Sequence, residues 1–141
     1  MKKKFQVVSE LTNVQKASED VLSFLKPLSL GDAALFDIRL CLEEALINAM
    51  KYGNRLRPDL HVELDVEASS QEVRLTVQDQ GSGFDVKELA NCTQGENLFR
   101  NHGRGVYLIH QLMDEVRYNE KGNRLVMVKS IKKAGEREHG H

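Results

Sequence analysis

Residues 42–54 narrow the possible folds of this chain more than any other stretch, because they have the pattern of the end of a long amphipathic helix. Gly53 is predicted to stop that helix, as glycine commonly does. Glu44 and Asn48 are four positions apart, so they share one helical face about a turn from each other. Such a carboxylate–amide pair could hold a magnesium ion and a water, or it could be a solvated polar edge.

Composition limits the chain to ordinary globular classes. Its 141 residues suit one domain with one sizeable core, and 40% hydrophobic with 29% charged residues is typical of such a domain. The formal net charge is −1 and the basic residues form no long run, so nothing favours a nucleic-acid surface. No apolar run reaches about 18 residues, so no membrane-spanning helix is predicted. Cys41 and Cys92 stand alone, which fits a reducing cytoplasm, and Cys41 is expected in the core.

Hydrophobic periodicity predicts an alternation of helices and strands. In chain order the predicted elements are a strand at 4–8, a helix capped by Ser9 or Thr12 and ending near Leu25, a long helix starting at 31–32, antiparallel neighbouring strands at 61–67 and 73–79, a helix at 105–113, and strands at 116–118 and 124–131 joined by a hairpin turn. The stretch 80–103 has no periodicity, and a loop of that length is typical of a lid or a binding loop.

A glycine-bearing strand end is the second candidate for chemistry. Asp79 ends a predicted strand and is followed by Gly81 and Gly83. A carboxylate there could accept a hydrogen bond from an exocyclic amine such as that of adenine. The glycines would allow close approach of the backbone and φ > 0. By itself this pattern also fits a plain turn.

The third candidate is residues 101–106, a glycine-bearing turn directly before a helix. Free backbone N–H groups at a helix start bind anions, and Gly103 and Gly105 would let phosphate oxygens come close. Arg104 adds a fork of donors suited to a terminal phosphate. By itself this segment, too, fits a structural turn.

The three segments, in this order, resemble the GHKL (Bergerat) ATP-binding fold. Within that group the chain is similar to the bacterial anti-sigma factor serine kinases of the RsbW type, most clearly over 43–49 and 105–116. The resemblance covers residues 9–131 and departs at Asn101, where many members have a glycine. It implies an α+β fold, a two-layer α/β sandwich whose mixed, mostly antiparallel sheet packs on helices. It also implies a single ATP-binding domain at 1–132 and a disordered tail at 133–141.

The resemblance implies a role for each candidate residue. Asn48 would coordinate the Mg²⁺ that bridges the phosphates, Glu44 would act as general base, and Asp79 would bind the adenine amine. The other implied contacts are Gly81 and Gly83 around the adenine, Gly103 and Gly105 along the triphosphate, Arg104 at the γ-phosphate, and residues 86–102 as the lid.

The function implied is that of an anti-sigma factor and serine/threonine protein kinase. It would use ATP and Mg²⁺ to phosphorylate a serine of an anti-anti-sigma protein of the STAS type, in a partner-switching system that regulates transcription. The expected partners are that protein and a sigma factor, with a homodimer, a cytoplasmic location, and no direct contact with nucleic acid or membrane. Two alternatives stay open: an ATP-binding regulatory module with little or no kinase activity, and a detached histidine-kinase-type ATPase domain. For the latter no acceptor-histidine segment is visible, since His110 follows the phosphate turn on a helix.

Overall fold

The computed structural model describes residues 1–81 and 103–131. Its helices and strands are β1 (Lys2–Val8), α1 (Val14–Leu25), α2 (Asp32–Asn48), β2 (His61–Ala68), β3 (Glu72–Gln78), α3 (Gly103–Leu112), β4 (Glu115–Tyr118) and β5 (Arg124–Ser130). Gly83, Cys92, the predicted lid and the predicted tail lie outside the described residues. Over the described ranges, no helix combines the length and the apolar character that crossing a membrane requires.

The strands form one five-stranded sheet in the order β1–β2–β3–β5–β4. The pairings of the described strands are all antiparallel, which confirms the predicted α+β class. The predicted neighbours β2 and β3 pair as expected, with Leu64 opposite Val77. At the other edge of β3, Gln78 pairs with Arg124. The end of β3 therefore lies beside the turn that joins β4 to β5.

The hydrophobic core lies between one face of this sheet and the helices. β2 buries Val62, Leu64 and Val66 on one face and turns its acidic residues to the other, as the two-residue period of a strand requires. The buried residues of α2 are Ile38, Cys41, Leu42, Ala45 and Leu46. Burial of each large apolar side chain stabilises the fold by about 1.5–3 kcal/mol. This stripe therefore holds α2 on the sheet and sets the positions of Glu44 and Asn48 at its margin.

The start of α1 differs from the sequence prediction. The helix begins at Val14 after a 3₁₀ turn, and its N-cap residue is Asn13, so neither Ser9 nor Thr12 is the cap. Asn13 Nδ2 instead donates to the carbonyl oxygen of Val8 (3.0 Å). Ser9 is fully buried and its backbone N–H donates to the carbonyl oxygen of Leu60 (3.0 Å). A long-range backbone contact thus holds Ser9, which a local capping rule would use as the cap.

The end of α2 also differs from the prediction that Gly53 stops it. After Asn48 the helix widens into a π-helical turn, Ala49–Gly53, and the N–H of Asn54 donates to the carbonyl oxygen of Ala49 (2.8 Å). The left-handed backbone positions follow later, at Arg55 (φ 53°) and Leu56 (φ 57°). π-helical turns are rare and concentrate at functional sites. Gly53 is therefore required for a reason other than ending a helix.

Candidate functional site

A cavity of about 50 Å³ opens where the end of α2, the end of β3, the start of α3 and the β4–β5 turn meet. Asn48 and Asp79, predicted from distant segments, both line it. Val106 of α3 and Asn123 of the β4–β5 turn line the same cavity. The chain thus brings the amide of the first segment and the carboxylate of the second to one concave site, which is where small ligands usually bind.

Asp79 is a buried carboxylate, with 8% of the residue exposed. Its Oδ1 accepts a hydrogen bond from the backbone N–H of Gly81 (2.9 Å). Burial raises the pKa of this carboxyl above its ordinary value, and the Gly81 N–H and the charge of Lys121 lower it by less. A buried carboxylate that faces a cavity has unused acceptor capacity, which a ligand amine could satisfy.

The absence of a side chain at Gly53 and Gly81 leaves space for the Asp79 carboxylate. A Cβ atom on Gly53 would overlap the Asp79 carboxylate, lying 2.7 Å from Oδ1 and closer still to Oδ2. A Cβ atom on Gly81 would overlap the carbonyl oxygen of Gly53 and lie 3.1 Å from Asp79 Oδ1. Among the described glycines only Gly122 has a left-handed φ, so the predicted φ > 0 at Gly81 is wrong. Gly53 and Gly81 are needed here for close packing around one carboxylate.

Gly53→Ala is therefore expected to displace the Asp79 side chain and to lower the free energy of unfolding by about 1–3 kcal/mol, as for other overpacked sites. Denaturant unfolding measures this loss, and a nucleotide titration should show weakened binding. Gly31→Ala is the matched control, because nothing lies within 4 Å of a Cβ atom there. That variant should change stability by less than about 1 kcal/mol. Equal effects from the two variants would contradict the packing explanation.

Backbone hydrogen bonds hold Asp79 from both sides. Its N–H donates to the carbonyl oxygen of Asn123 (2.9 Å), and Asn123 Nδ2 donates back to its carbonyl oxygen (3.4 Å). The next N–H, of Gln80, donates to Asn54 Oδ1 (2.7 Å), while Asn54 Nδ2 donates to the carbonyl oxygen of His61 (3.0 Å). The sequence analysis missed both asparagines. Their only local signal was a position beside a turn glycine, which is ordinary turn composition.

Glu44 lies against the first turns of α3. A Cβ atom on Gly105 would overlap Glu44 Oε2 and lie 3.2 Å from Glu44 Cβ and Cδ. The first and third predicted segments thus meet at this carboxylate. A carboxylate near a helix N-terminus is stabilised by the backbone dipoles there. Gly103 is the first residue of α3, and the side chain of Arg104 lies outside what the structure describes.

The neighbouring Glu43 has a different environment. Its Oε2 accepts hydrogen bonds from Ser18 Oγ of α1 (2.6 Å) and from Arg39 Nε (3.1 Å). The side chain therefore joins α1 to α2 and is already occupied. Of the two adjacent glutamates, Glu44 is the one whose side chain lies against Gly105 of α3.

The donor set fits a magnesium ion held mainly by a nucleotide. Within residues 1–81 and 103–131 no group of three His, Cys, Asp or Glu side chains could hold a metal. Mg²⁺ is usually bound by one or two protein oxygens together with phosphates and waters. Asn48, on the cavity wall beside the start of α3, can supply one such oxygen.

Three further side chains, Cys41, His110 and Lys51, lie in different environments. Cys41 is fully buried, which confirms its predicted place in the core, and burial raises the pKa of its thiol to about 12. Such a thiol is unreactive at neutral pH. Burial lowers the pKa of His110 on α3. Lys51 is exposed, with its Nζ 5.8 Å from the centre of the Tyr52 ring.

Comparison with known sequences identifies the family. Residues 7–129 match the model of the histidine kinase-like ATPase domain. The chain is 32% identical over 112 residues to the serine-protein kinase RsbW of Staphylococcus epidermidis, covering 74% of this chain and 70% of that protein. It is 30% identical to the Staphylococcus aureus RsbW over the same shares of the two chains.

The fold is also similar to a solved structure, that of the RsbU and RsbW domains of a Mycobacterium tuberculosis protein. The TM-score is 0.64 at 12% identity, covering 95% of this chain and 34% of that one. This identity supports likeness of fold alone, and the chain spans about a third of the solved protein's length. Together with the sequence matches, this shows that the chain belongs to the histidine kinase-like ATPase domain family, the GHKL group, and that RsbW serine-protein kinases are among its relatives.

Proposed function

We propose that the chain is a serine-protein kinase and anti-sigma factor. It binds ATP with Mg²⁺ and phosphorylates a serine of an anti-anti-sigma protein with a STAS domain. The observation that carries the proposal is the single cavity lined by Asn48 and Asp79, next to the place where Glu44 contacts the start of α3. In this proposal Asp79 binds the adenine end of the nucleotide, Asn48 binds the metal at its phosphates, and Glu44 is the base beside the terminal phosphate.

At the adenine end, Asp79 accepts a hydrogen bond from the exocyclic amine. Gly53 and Gly81 hold the carboxylate in a space that only glycines leave open. The buried, hydrogen-bonded environment keeps this acceptor fixed, so it discriminates an amine from a carbonyl at the same ring position. In this proposal Gly83 completes the same pocket.

At the phosphate end, the start of α3 presents free backbone N–H groups, with Gly103 and Gly105 lining the triphosphate and Arg104 reaching the γ-phosphate. Asn48 holds Mg²⁺ at the phosphates. Bound ATP–Mg²⁺ supplies the phosphoryl group and offsets the charge on its oxygens. The protein's part is to hold the phosphates and the attacking hydroxyl in line.

Glu44 takes the proton of the attacking serine hydroxyl, which requires a distance of about 3 Å, directly or through one water. Its contact with Gly105 supports this role, because the proposal assigns the start of α3 to the phosphates. Glu43 is not assigned this role, because its Oε2 already accepts hydrogen bonds from Ser18 and Arg39.

The regulatory part of the proposal concerns two competing partners. The unphosphorylated STAS-domain protein and a sigma factor compete for this chain, which acts as a cytoplasmic homodimer. Phosphorylation adds about −2 of charge to the STAS-domain protein, which is enough to break a tight interface. The sigma factor is then bound and transcription from its promoters stops.

The test is incubation of the chain with labelled ATP and with STAS-domain proteins of the same genome. Label on a serine of one of them, lost in Glu44→Ala, is the expected result. ATP binding without transfer to any of them would contradict the kinase proposal and favour a nucleotide-dependent binding module. Label on a histidine of the chain itself would instead favour a histidine-kinase-type domain.

A further inference from the structure

We propose that Lys129 is a positioning residue for the phosphoryl transfer described above. From β5 it joins the last turn of α3 to α2, and so sets where the first turn of α3 stands against Glu44. The inference rests on the proposed function for its kinetic consequence, although its structural consequence can be measured without any nucleotide.

The contacts of Lys129 span three elements. Its Nζ donates to Asp37 Oδ2 of α2 (2.9 Å) and to the carbonyl oxygen of Leu112 (2.8 Å), the last residue of α3. The last carbonyl groups of a helix have no partner within the helix and carry partial negative charge. The ammonium group therefore caps α3 and forms an ion pair with α2 at the same time.

This pair differs from the other ion pairs between described residues. The Lys129 and Asp37 side chains are 17% and 21% exposed, and each of the others includes at least one side chain more exposed than these. Exposed pairs contribute little because water and salt screen them. A mostly buried ammonium with two short hydrogen bonds holds a fixed geometry.

The two ends of α3 meet α2 at two points on one face. Asp37 and Glu44 are seven residues apart, which is two helical turns. Gly105, in the first turn of α3, lies at Glu44, and Leu112, the last residue of α3, lies near Asp37. The two helices therefore run in opposite directions, and Lys129 secures the end of α3 that is far from the phosphates.

A short helix moves as a rigid rod, so loosening one end displaces the other. With 10 residues, α3 is about 15 Å long. A pivot of about 5° at its end would shift its start by about 1 Å, and such a misplacement can slow a positioned reaction about a hundredfold. Lys129 thus acts on the transfer step through α3, at a distance from the reacting atoms.

Lys129→Met tests this, because methionine keeps most of the side-chain length and removes the charge and the hydrogen bonds. We expect kcat for phosphoryl transfer to fall about tenfold to a hundredfold. We expect ATP affinity to fall about tenfold. Affinity for AMP, which lacks the distal phosphates and is measured by NMR titration, should change less than about twofold. Lys129→Arg should restore most of the transfer rate.

Val21→Ala is the control for a general loss of stability, since it opens a cavity in α1, which carries no proposed site residue. At temperatures where both variants stay folded, Val21→Ala should keep the wild-type rate and the wild-type ATP to AMP affinity ratio. If Lys129→Met keeps them as well, or if Val21→Ala loses as much, the positioning role is refuted.

Hydrogen exchange separates this inference from the proposed function. In nucleotide-free protein, the amides of Tyr107 and Leu108, which donate to the first turn of α3, should exchange faster in Lys129→Met than in wild type, with no such change in Val21→Ala. Unchanged exchange there would overturn the link between the two ends of α3. Faster exchange in a chain that neither binds ATP nor transfers phosphate would support the link and contradict the proposed function.

Discussion

Asp79→Asn is expected to weaken ATP binding at least about a hundredfold while leaving the protein at least as stable as wild type. The Gly81 N–H that now donates to Asp79 Oδ1 would orient the new amide, with its oxygen towards Gly81. The NH₂ group would then face the cavity, where it would oppose the amine of adenine. Two hydrogen-bond donors, the asparagine NH₂ group and the adenine amine, would then face each other. The hydrogen bond from the amine to the charged Asp79 carboxylate would be lost.

The stability part of this prediction follows from the raised pKa of Asp79, which burial causes. A carboxyl group whose pKa is higher in the folded than in the unfolded state favours folding while it is protonated. That contribution is lost as pH rises through the folded-state pKa. Once ionised, the buried carboxylate therefore opposes folding, and asparagine, which carries no charge, removes that opposition.

Calorimetric titration with ATP checks the predicted loss of affinity, and thermal unfolding at pH 7 checks the predicted stability. The control is Asp59→Asn, since the Asp59 side chain is 62% exposed and, among the described residues, pairs with the similarly exposed Arg57. Asp59→Asn should bind ATP normally. Normal ATP binding by Asp79→Asn would remove the adenine assignment, and a large fall in its Tm would attribute any loss of binding to unfolding instead.

Glu44→Gln is expected to slow phosphoryl transfer by about 10²- to 10⁴-fold, the usual contribution of a general base. ATP affinity should stay within about threefold of wild type, because glutamine has nearly the shape of glutamate and preserves the contact with Gly105. A reduced rate with preserved binding is the signature of an interaction made in the transition state.

Glu43→Gln is the matched control for that experiment. Its amide oxygen can still accept from Ser18 and Arg39, so the α1–α2 contact is largely kept. The Arg39 side chain is 47% exposed, so losing the charge of this pair should cost less than about 1 kcal/mol. Single-turnover transfer of labelled phosphate distinguishes the two variants. A fall in rate in Glu43→Gln alone would reverse the assignment of the two glutamates.

Helices and strands whose limits follow from local sequence patterns could be predicted from the sequence. The start of α2 at Asp32 and the pairing of β2 with β3 follow from capping positions and from two-residue alternation. Where a distant contact overrides a local rule, the predictions fail. Ser9 does not cap α1, because it is buried and its N–H donates to the distant Leu60. At the end of α2 the cause is local, since the N–H of Asn54 donates to Ala49 and closes a π-helical turn that contains Gly53.

The sequence by itself determined which chemical groups the chain offers, and their order along it: a carboxylate and an amide on one helix, an acid at a strand end, and glycines before a helix. Only the tertiary structure decided how they are used. It turned Glu43 towards α1 and Glu44 towards α3, and brought Lys129 to the far end of that helix. Adjacent glutamates are chemically identical, and side chains 92 residues apart, such as Asp37 and Lys129, carry no local sign of each other. Their partners are set by the packing of whole helices on the sheet, which no short stretch of sequence contains.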